Sequence, residues 1–119
     1  MTLRGLSAGP HSMLAYLNQT ANVASVAPVE ILVNGAVKLT VTPSIQALTL
    51  AAARTAYLTF DAVAGQDVVI LFRAQTSSSA ANKNVMINGF DLNVPNLANQ
   101  ASNPSPATAT STSTATPAT

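Results

Sequence analysis

Apolar and polar residues alternate with period two along much of this chain, most clearly from residue 29 to residue 42. Val29, Ile31 and Val33 alternate with Glu30, Leu32 and Asn34; after Gly35, Val37, Leu39 and Val41 alternate with Lys38, Thr40 and Thr42. Two such runs joined by Asn-Gly predict a β-hairpin with one buried face, because a type I′ turn needs positive φ at both central residues and Asn and Gly tolerate it best. Pro28 and Pro43 bracket the hairpin. Neither can donate a ladder hydrogen bond, which suits them to strand ends.

A second hairpin is predicted between residues 55 and 75. Ala56, Leu58 and Phe60 alternate with Thr55, Tyr57, Thr59 and Asp61, and the turn-like Ala64-Gly65-Gln66-Asp67 leads into Val68-Val69-Ile70-Leu71-Phe72. That run is apolar on both faces and reads as a central strand. Further strands are expected at Ser12–Leu17 and Asn84–Val94, the latter with Gly89 interrupting the alternation as a bulge would, and closed by Pro95. Ser44–Arg54 is ambiguous. Ser44 would cap a helix with Ile45, Leu48 and Ala52 on one face, while Thr49 and Pro43 fit an irregular crossover or a further strand equally well; a loop with some strand is expected. Thr76–Lys83 reads as a flexible polar surface loop. Short strands at regular spacing with no long helix predict an all-β fold, an antiparallel β-sandwich.

Composition narrows the class. Of 119 residues 48% are hydrophobic and 8% charged, with a net charge of +1 and no cysteine. Five cations scattered among four acids cannot form the basic stripe that nucleic acid requires. Without cysteine there is no disulfide framework, thiolate metal site or thiol nucleophile. No apolar run reaches the length of about 20 residues that a bilayer-spanning helix needs.

From Asn103 onward the chain is Ser, Thr, Ala and Pro without a charge or a large apolar residue, the composition of disordered, O-glycosylated stalks in secreted and wall-anchored proteins. The expected organisation is a β-sandwich module over residues 1–97 and a disordered Ser/Thr/Pro-rich linker over 98–119, working outside the cell and joined to a further domain or a cell wall. Met1–Leu6 lacks the basic and long apolar stretches of a secretory leader. Either a leader has been removed or the chain starts within a larger protein, and the second is the expectation.

Candidate chemistry is sparse. His11, beside Pro10 at the start of a strand, is the single histidine and reads as a surface residue. Among the acids, Glu30 and Asp61 fall on outward faces, Asp67 in a turn and Asp91 in the last strand, so no carboxylate pair for glycosidic cleavage is suggested. No catalytic residue and no metal ligand is assigned, and the module is read as non-enzymatic; a structural calcium at Asp67 and Asp91 would lack the Asp-x-Asp spacing of recognisable sites. Carbohydrate recognition needs an aromatic plate with amides or carboxylates beside it. Alternation sends Phe60 and Phe72 to the core, leaving Tyr16 and Tyr57 as plates, with Asn82, Asn84, Asn88 and Asn93 as hydrogen-bonding amides and Asn88 the chosen contact. Asn18-Gln19-Thr20 is an acceptor sequence for N-glycosylation, placed in the loop after the first strand.

Three separated pieces resemble malectin-like domains in order and spacing. Leu6-Ser7-Ala8-Gly9-Pro10-His11-Ser12-Met13-Leu14-Ala15-Tyr16 resembles the strand those domains enter through a Leu-x-x-Gly turn. Val29-Glu30-Ile31-Leu32-Val33-Asn34-Gly35 is similar to their Asp-Val-x-Ile-Asn-Gly hairpin, and Val85-Met86-Ile87-Asn88-Gly89-Phe90-Asp91-Leu92 to their closing strand. Ala56–Phe72 matches the penultimate hairpin, so the resemblance covers about residues 3–95. It implies a galactose-binding-like jelly roll that recognises oligosaccharide or polysaccharide as an appendage to secreted or surface proteins. The early strands that carry much of that family's aromatic site have no counterpart here, so no binding tyrosine is carried over. Their absence would leave a sheet edge open. The expected function is a non-catalytic carbohydrate-binding module without cofactor; the alternatives are a ligand-free spacer or adhesin domain, and an accessory domain of a polysaccharide-degrading enzyme.

Overall fold

A computed structural model describes residues 1–96; the linker expected over 98–119 lies outside the described residues. Strands β1 (Thr2–Leu3), β2 (Gly9–Gln19), β3 (Val29–Val33), β4 (Ala36–Val41), β5 (Ser44–Ile45), β6 (Arg54–Ala62), β7 (Val68–Ala74) and β8 (Gly89–Leu92) are joined by loops and one 3-10 turn, Leu50–Ala52. They form two sheets. One has the order β1-β7-β3-β4, all antiparallel; in the other β2 is flanked by antiparallel β6 and β8 and meets β5 in parallel at its end. The chain is an all-β, two-layer sandwich.

The core lies between the layers. Met13, Ala15 and Leu17 on β2, with Ala56, Leu58 and Phe60 on β6, meet Val29 and Ile31 on β3 and Val68 and Ile70 on β7. Met13, Leu17, Ile31 and Ile70 have no exposed surface. Each such side chain contributes about 1.5–3 kcal/mol of apolar transfer free energy, and with no cysteine available this packing has to hold the layers together.

The first hairpin forms as its sequence dictates, with φ of 48° at Asn34 and 86° at Gly35. Asn34 adds a cross-strand tie, its N–H donating to Val69 O at 2.8 Å and its Oδ1 accepting from Val69 N at 2.9 Å. One expectation fails within it. The register slips between Ile31 and Leu32, pairing Ile31 with Leu39 but Leu32 with Val37 and leaving Lys38 as the extra residue. Beyond that bulge the alternation inverts, so Val37 is 51% exposed on the outer face while Leu39 and Val41 still pack inward.

The second predicted hairpin is not one. β6 pairs along its whole length with β2, whereas β7 crosses to the other layer to pair with β1 and β3. The Val63–Asp67 connection is an arch between sheets, turned by Gln66 N–H donating to Val63 O at 3.0 Å and by Gly65 at φ 77°. β7 is a central strand, as read, but Val69 and Leu71 on its outer face are 46% and 48% exposed. β2 runs beyond the predicted Ser12–Leu17, and the last strand is shorter than predicted, beginning at Gly89. Ser44–Arg54 resolves into β5 and the 3-10 turn, which Thr49 caps by accepting from Ala52 N at 3.2 Å. The Thr76–Lys83 loop is pinned through Asn82, which exchanges backbone hydrogen bonds with Ala27 and Ser25.

Candidate functional site

The outward face of the β2–β6 sheet carries a cleft of ≈ 540 Å³. Period-two alternation turns Leu14 and Tyr16 of β2, and Thr55 and Tyr57 of β6, away from the core. The antiparallel register sets Leu14 opposite Tyr57 and Tyr16 opposite Thr55, so the two tyrosines are diagonal neighbours. The turn after β5 supplies a wall through Leu50, Ala51 and Ala53, and Asn96 closes the other side. Both hydroxyls are anchored. Tyr57 donates to Val94 O at 3.1 Å, and Tyr16 donates to Asp91 Oδ2 at 3.4 Å, placing an exposed carboxylate beside the first ring.

A second, shallower cleft of ≈ 450 Å³ lies on the other side of Tyr57. It runs along Pro10, His11, Ser12 and Thr59 to Asn93 and Pro95, and Tyr57 is the ridge shared by the two. His11 is half-buried rather than a free surface residue. Its ring stacks on Phe60 (centroids 5.9 Å apart, planes 21°), and its nitrogens face Asn93 Oδ1 at 3.0 Å and Ser7 O at 2.7 Å. Neither nitrogen meets a carboxylate.

The structure brings Tyr16 and Tyr57 together and puts Asn88 elsewhere. Asn88 Oδ1 accepts from Asn18 N at 2.6 Å and its Nδ2 donates to Asn18 O at 3.2 Å, while its own N–H donates to Tyr16 O. The side-chain amide thereby extends the β8 ladder by one step beside β2. Asn18 lies in β2, not in the loop after it, and its Oδ1 accepts from Ser44 Oγ and Ala47 N. Asn93 Oδ1 accepts from Ser12 N, and Asn82 Oδ1 from Asn84 N. Among the described residues no group of three or more His, Asp or Glu side chains could hold a metal ion. Asp67 pairs with Arg4 at 3.2 Å, and no helix of the described residues is long and apolar enough to cross a membrane.

Sequence reasoning missed Leu14, Thr55, the Leu50–Ala53 wall and Asn96. Thr55 was within reach, two residues before Tyr57 on the same face. The pairing of Leu14 with Tyr57 depends on a register between distant segments that no local pattern encodes. No protein-family model matches the chain, and no curated protein and no solved structure matches it.

Proposed function

We propose that this protein is a non-catalytic carbohydrate-binding module whose ligand lies along the outward face of the β2–β6 sheet. The observation that carries this reading is the diagonal placement of Tyr16 and Tyr57 in one cleft, with Tyr57 as the ridge to a second. A pyranose offers an apolar C–H face and a rim of hydroxyls. The tyrosine rings and Leu14 suit the face, and the Thr55 hydroxyl, with the Asp91 carboxylate beside the Tyr16 hydroxyl, suits the rim. The volume lies within the range of about 300–1,000 Å³ typical of small-ligand sites. Two clefts flanking one ring favour a chain of sugars over a single one.

On this reading the sandwich is a galactose-binding-like jelly roll, in keeping with the resemblance of its segments to malectin-like domains. The module acts outside the cell and is carried on its Ser/Thr-rich tail beside a further domain or a wall. Asn88 serves the ladder, leaving contact to the tyrosines, and Asn18 is the glycosylation acceptor.

Affinity electrophoresis through gels cast with wall polysaccharides, backed by a glycan array, tests the proposal. The full chain is expected to be retarded by at least one polysaccharide. Tyr57→Ala and Tyr16→Ala are expected to weaken retention at least about tenfold, or about 1.4 kcal/mol, with an unchanged circular dichroism spectrum. A folded chain that binds no glycan would leave the spacer reading in its place.

A further inference from the structure

Among the described residues the sandwich has five outer strands, and four of them carry features that block pairing with another chain. β1 and β5 are only two residues long. β8 has four and is followed by Asn93 at φ 57° and then Pro95. β4 is broken by its bulge, with Lys38 as the extra residue, and runs into Pro43. Short length, bulges, lysine and proline are the devices by which sheet proteins protect their edges. β6 has none of them. It runs for nine residues, Arg54–Ala62, in unbroken register with β2 alone, and contains no Gly, Pro or Lys.

Which backbone groups face outward follows from the bonds of β2. Asn88 and Asn93 N–H groups donate to Tyr16 O and Ser12 O, so the even-numbered residues of β2 address β8 and the odd-numbered ones address β6. Met13 and Ala15 therefore bond to Leu58 and Ala56, and at the end of the pair Ser44 Oγ bridges the strands, accepting from Arg54 N and donating to Leu17 O. The N–H and C=O groups of Thr55, Tyr57, Thr59 and Asp61 point away from β2, along an edge with no strand partner among the described residues. At the same flank β4 lies across the interior from β6, and its Leu39 and Val41 remain only half-buried.

We propose that this edge is a self-association surface, on which β6 pairs antiparallel with β6 of a second copy about a two-fold axis through Leu58. The second copy is favoured as occupant by fit. Centred on Leu58, the register sets Tyr57 opposite Thr59, Thr55 opposite Asp61 and Arg54 opposite Ala62, so every outward backbone group gains a partner and both copies keep core residues on one face. Charge selects the direction. In-register parallel pairing would set Arg54 against Arg54 and Asp61 against Asp61, whereas the antiparallel register sets each charge opposite a neutral residue, Ala62 or Thr55. The seam joins the two β2–β6 sheets into one, with both tyrosine clefts on a continuous outer face; the pairing itself does not rest on what those clefts bind.

Sedimentation equilibrium of the full chain is expected to show a concentration-dependent dimer. Thr59→Pro removes an N–H that β2 does not use, and is expected to lower the association constant at least about tenfold while the β-type circular dichroism persists. Because the chain has no cysteine, Thr59→Cys carries a single nitroxide, giving a readout that does not depend on the proline variant folding. The proposed register places the two labelled positions diagonally across the seam, about 7–8 Å apart, so the dimer's spectrum should be dipolar-broadened and sharpen on dilution with unlabelled protein. A chain that stays monomeric at every concentration overturns the proposal, as does a dimer that survives Thr59→Pro or leaves the labels unbroadened.

Discussion

Asparagine does the same work at several points in this molecule. Asn34, Asn88 and Asn93 each turn a side-chain oxygen onto a backbone N–H at the margin of a strand, of Val69, Asn18 and Ser12 respectively. A primary amide offers the same donor and acceptor as a peptide group, so it can stand in for one more residue of ladder where the neighbouring strand has ended. These three amides are therefore already engaged with backbone groups. Asn88→Ala should lower stability by about 0.5–1.5 kcal/mol, the low end being set by water reaching this exposed position. Asn88→Asp keeps the acceptor for Asn18 N but turns an oxygen toward Asn18 O, and should recover none of the loss; urea midpoints of the three chains decide it. Glu30 makes a prediction of a different kind. Its carboxylate accepts from Arg73 Nη2 at 2.7 Å and Nε at 2.9 Å and from Gln75 Nε2 at 3.3 Å. Those bonds, led by the two from Arg73, hold its pKa below the usual glutamate value. A carboxylate whose folded pKa is depressed stabilises the fold above its unfolded pKa, and that contribution is lost as pH falls through the folded value. Thermal midpoints of the native chain should therefore decline on acidification below the ordinary glutamate range more steeply than those of Glu30→Gln.

At the scale of elements, local pattern and long-range register divide what could be read. The Asn34-Gly35 turn was legible because its determinants, two residues tolerant of positive φ between two alternating runs, are adjacent in sequence. The inward faces of β2, β3 and β6 were legible for the same reason. The arch after Ala62 was not, since a five-residue connection containing Gly serves a hairpin and a crossover equally well, and the choice is made by β2 claiming all of β6. The bulge at Lys38 was hidden too, because Val37, Leu39 and Val41 keep their spacing in sequence while the partner strand slips past them. Of the candidate site, the two tyrosines were legible from alternation and their proximity was not. Gly35 gives this scale its prediction. At φ 86° a Cβ meets no neighbouring atom, so the cost of Gly35→Ala is conformational rather than steric against the rest of the fold, about 1–2 kcal/mol. Denaturant titration should show that loss with an unchanged m-value. Asn34→Gly should also destabilise, despite relieving its own positive φ, because the tie to Val69 N is lost.

For the whole molecule, stability rests on the interior between the layers, and the two outer faces differ in what they leave open. The β2–β6 side presents a cleft walled by a capped turn; the β3–β7 side presents Val37, Val69 and Leu71 around a buried Leu32. Leu32 pairs with both Val37 and Leu71, so it is covered by its outer-face neighbours rather than by the opposite layer. Three valine or isoleucine truncations separate the two kinds of burial. Ile31→Ala removes a fully buried side chain from the midplane and should cost about 2–5 kcal/mol, a large part of the 5–15 kcal/mol total expected of a domain this size. Val33→Ala, at 6% exposure in the same strand, should cost less but clearly register. Val37→Ala, half-exposed beyond the bulge, should stay within about 0.5 kcal/mol. Strict alternation through Val37, Leu39 and Val41 would instead make Val37 a core residue with a cost like that of Val33. Equal losses at positions 33 and 37, measured by urea unfolding, would mean that the register does not slip and that β4 turns its whole apolar face to the interior.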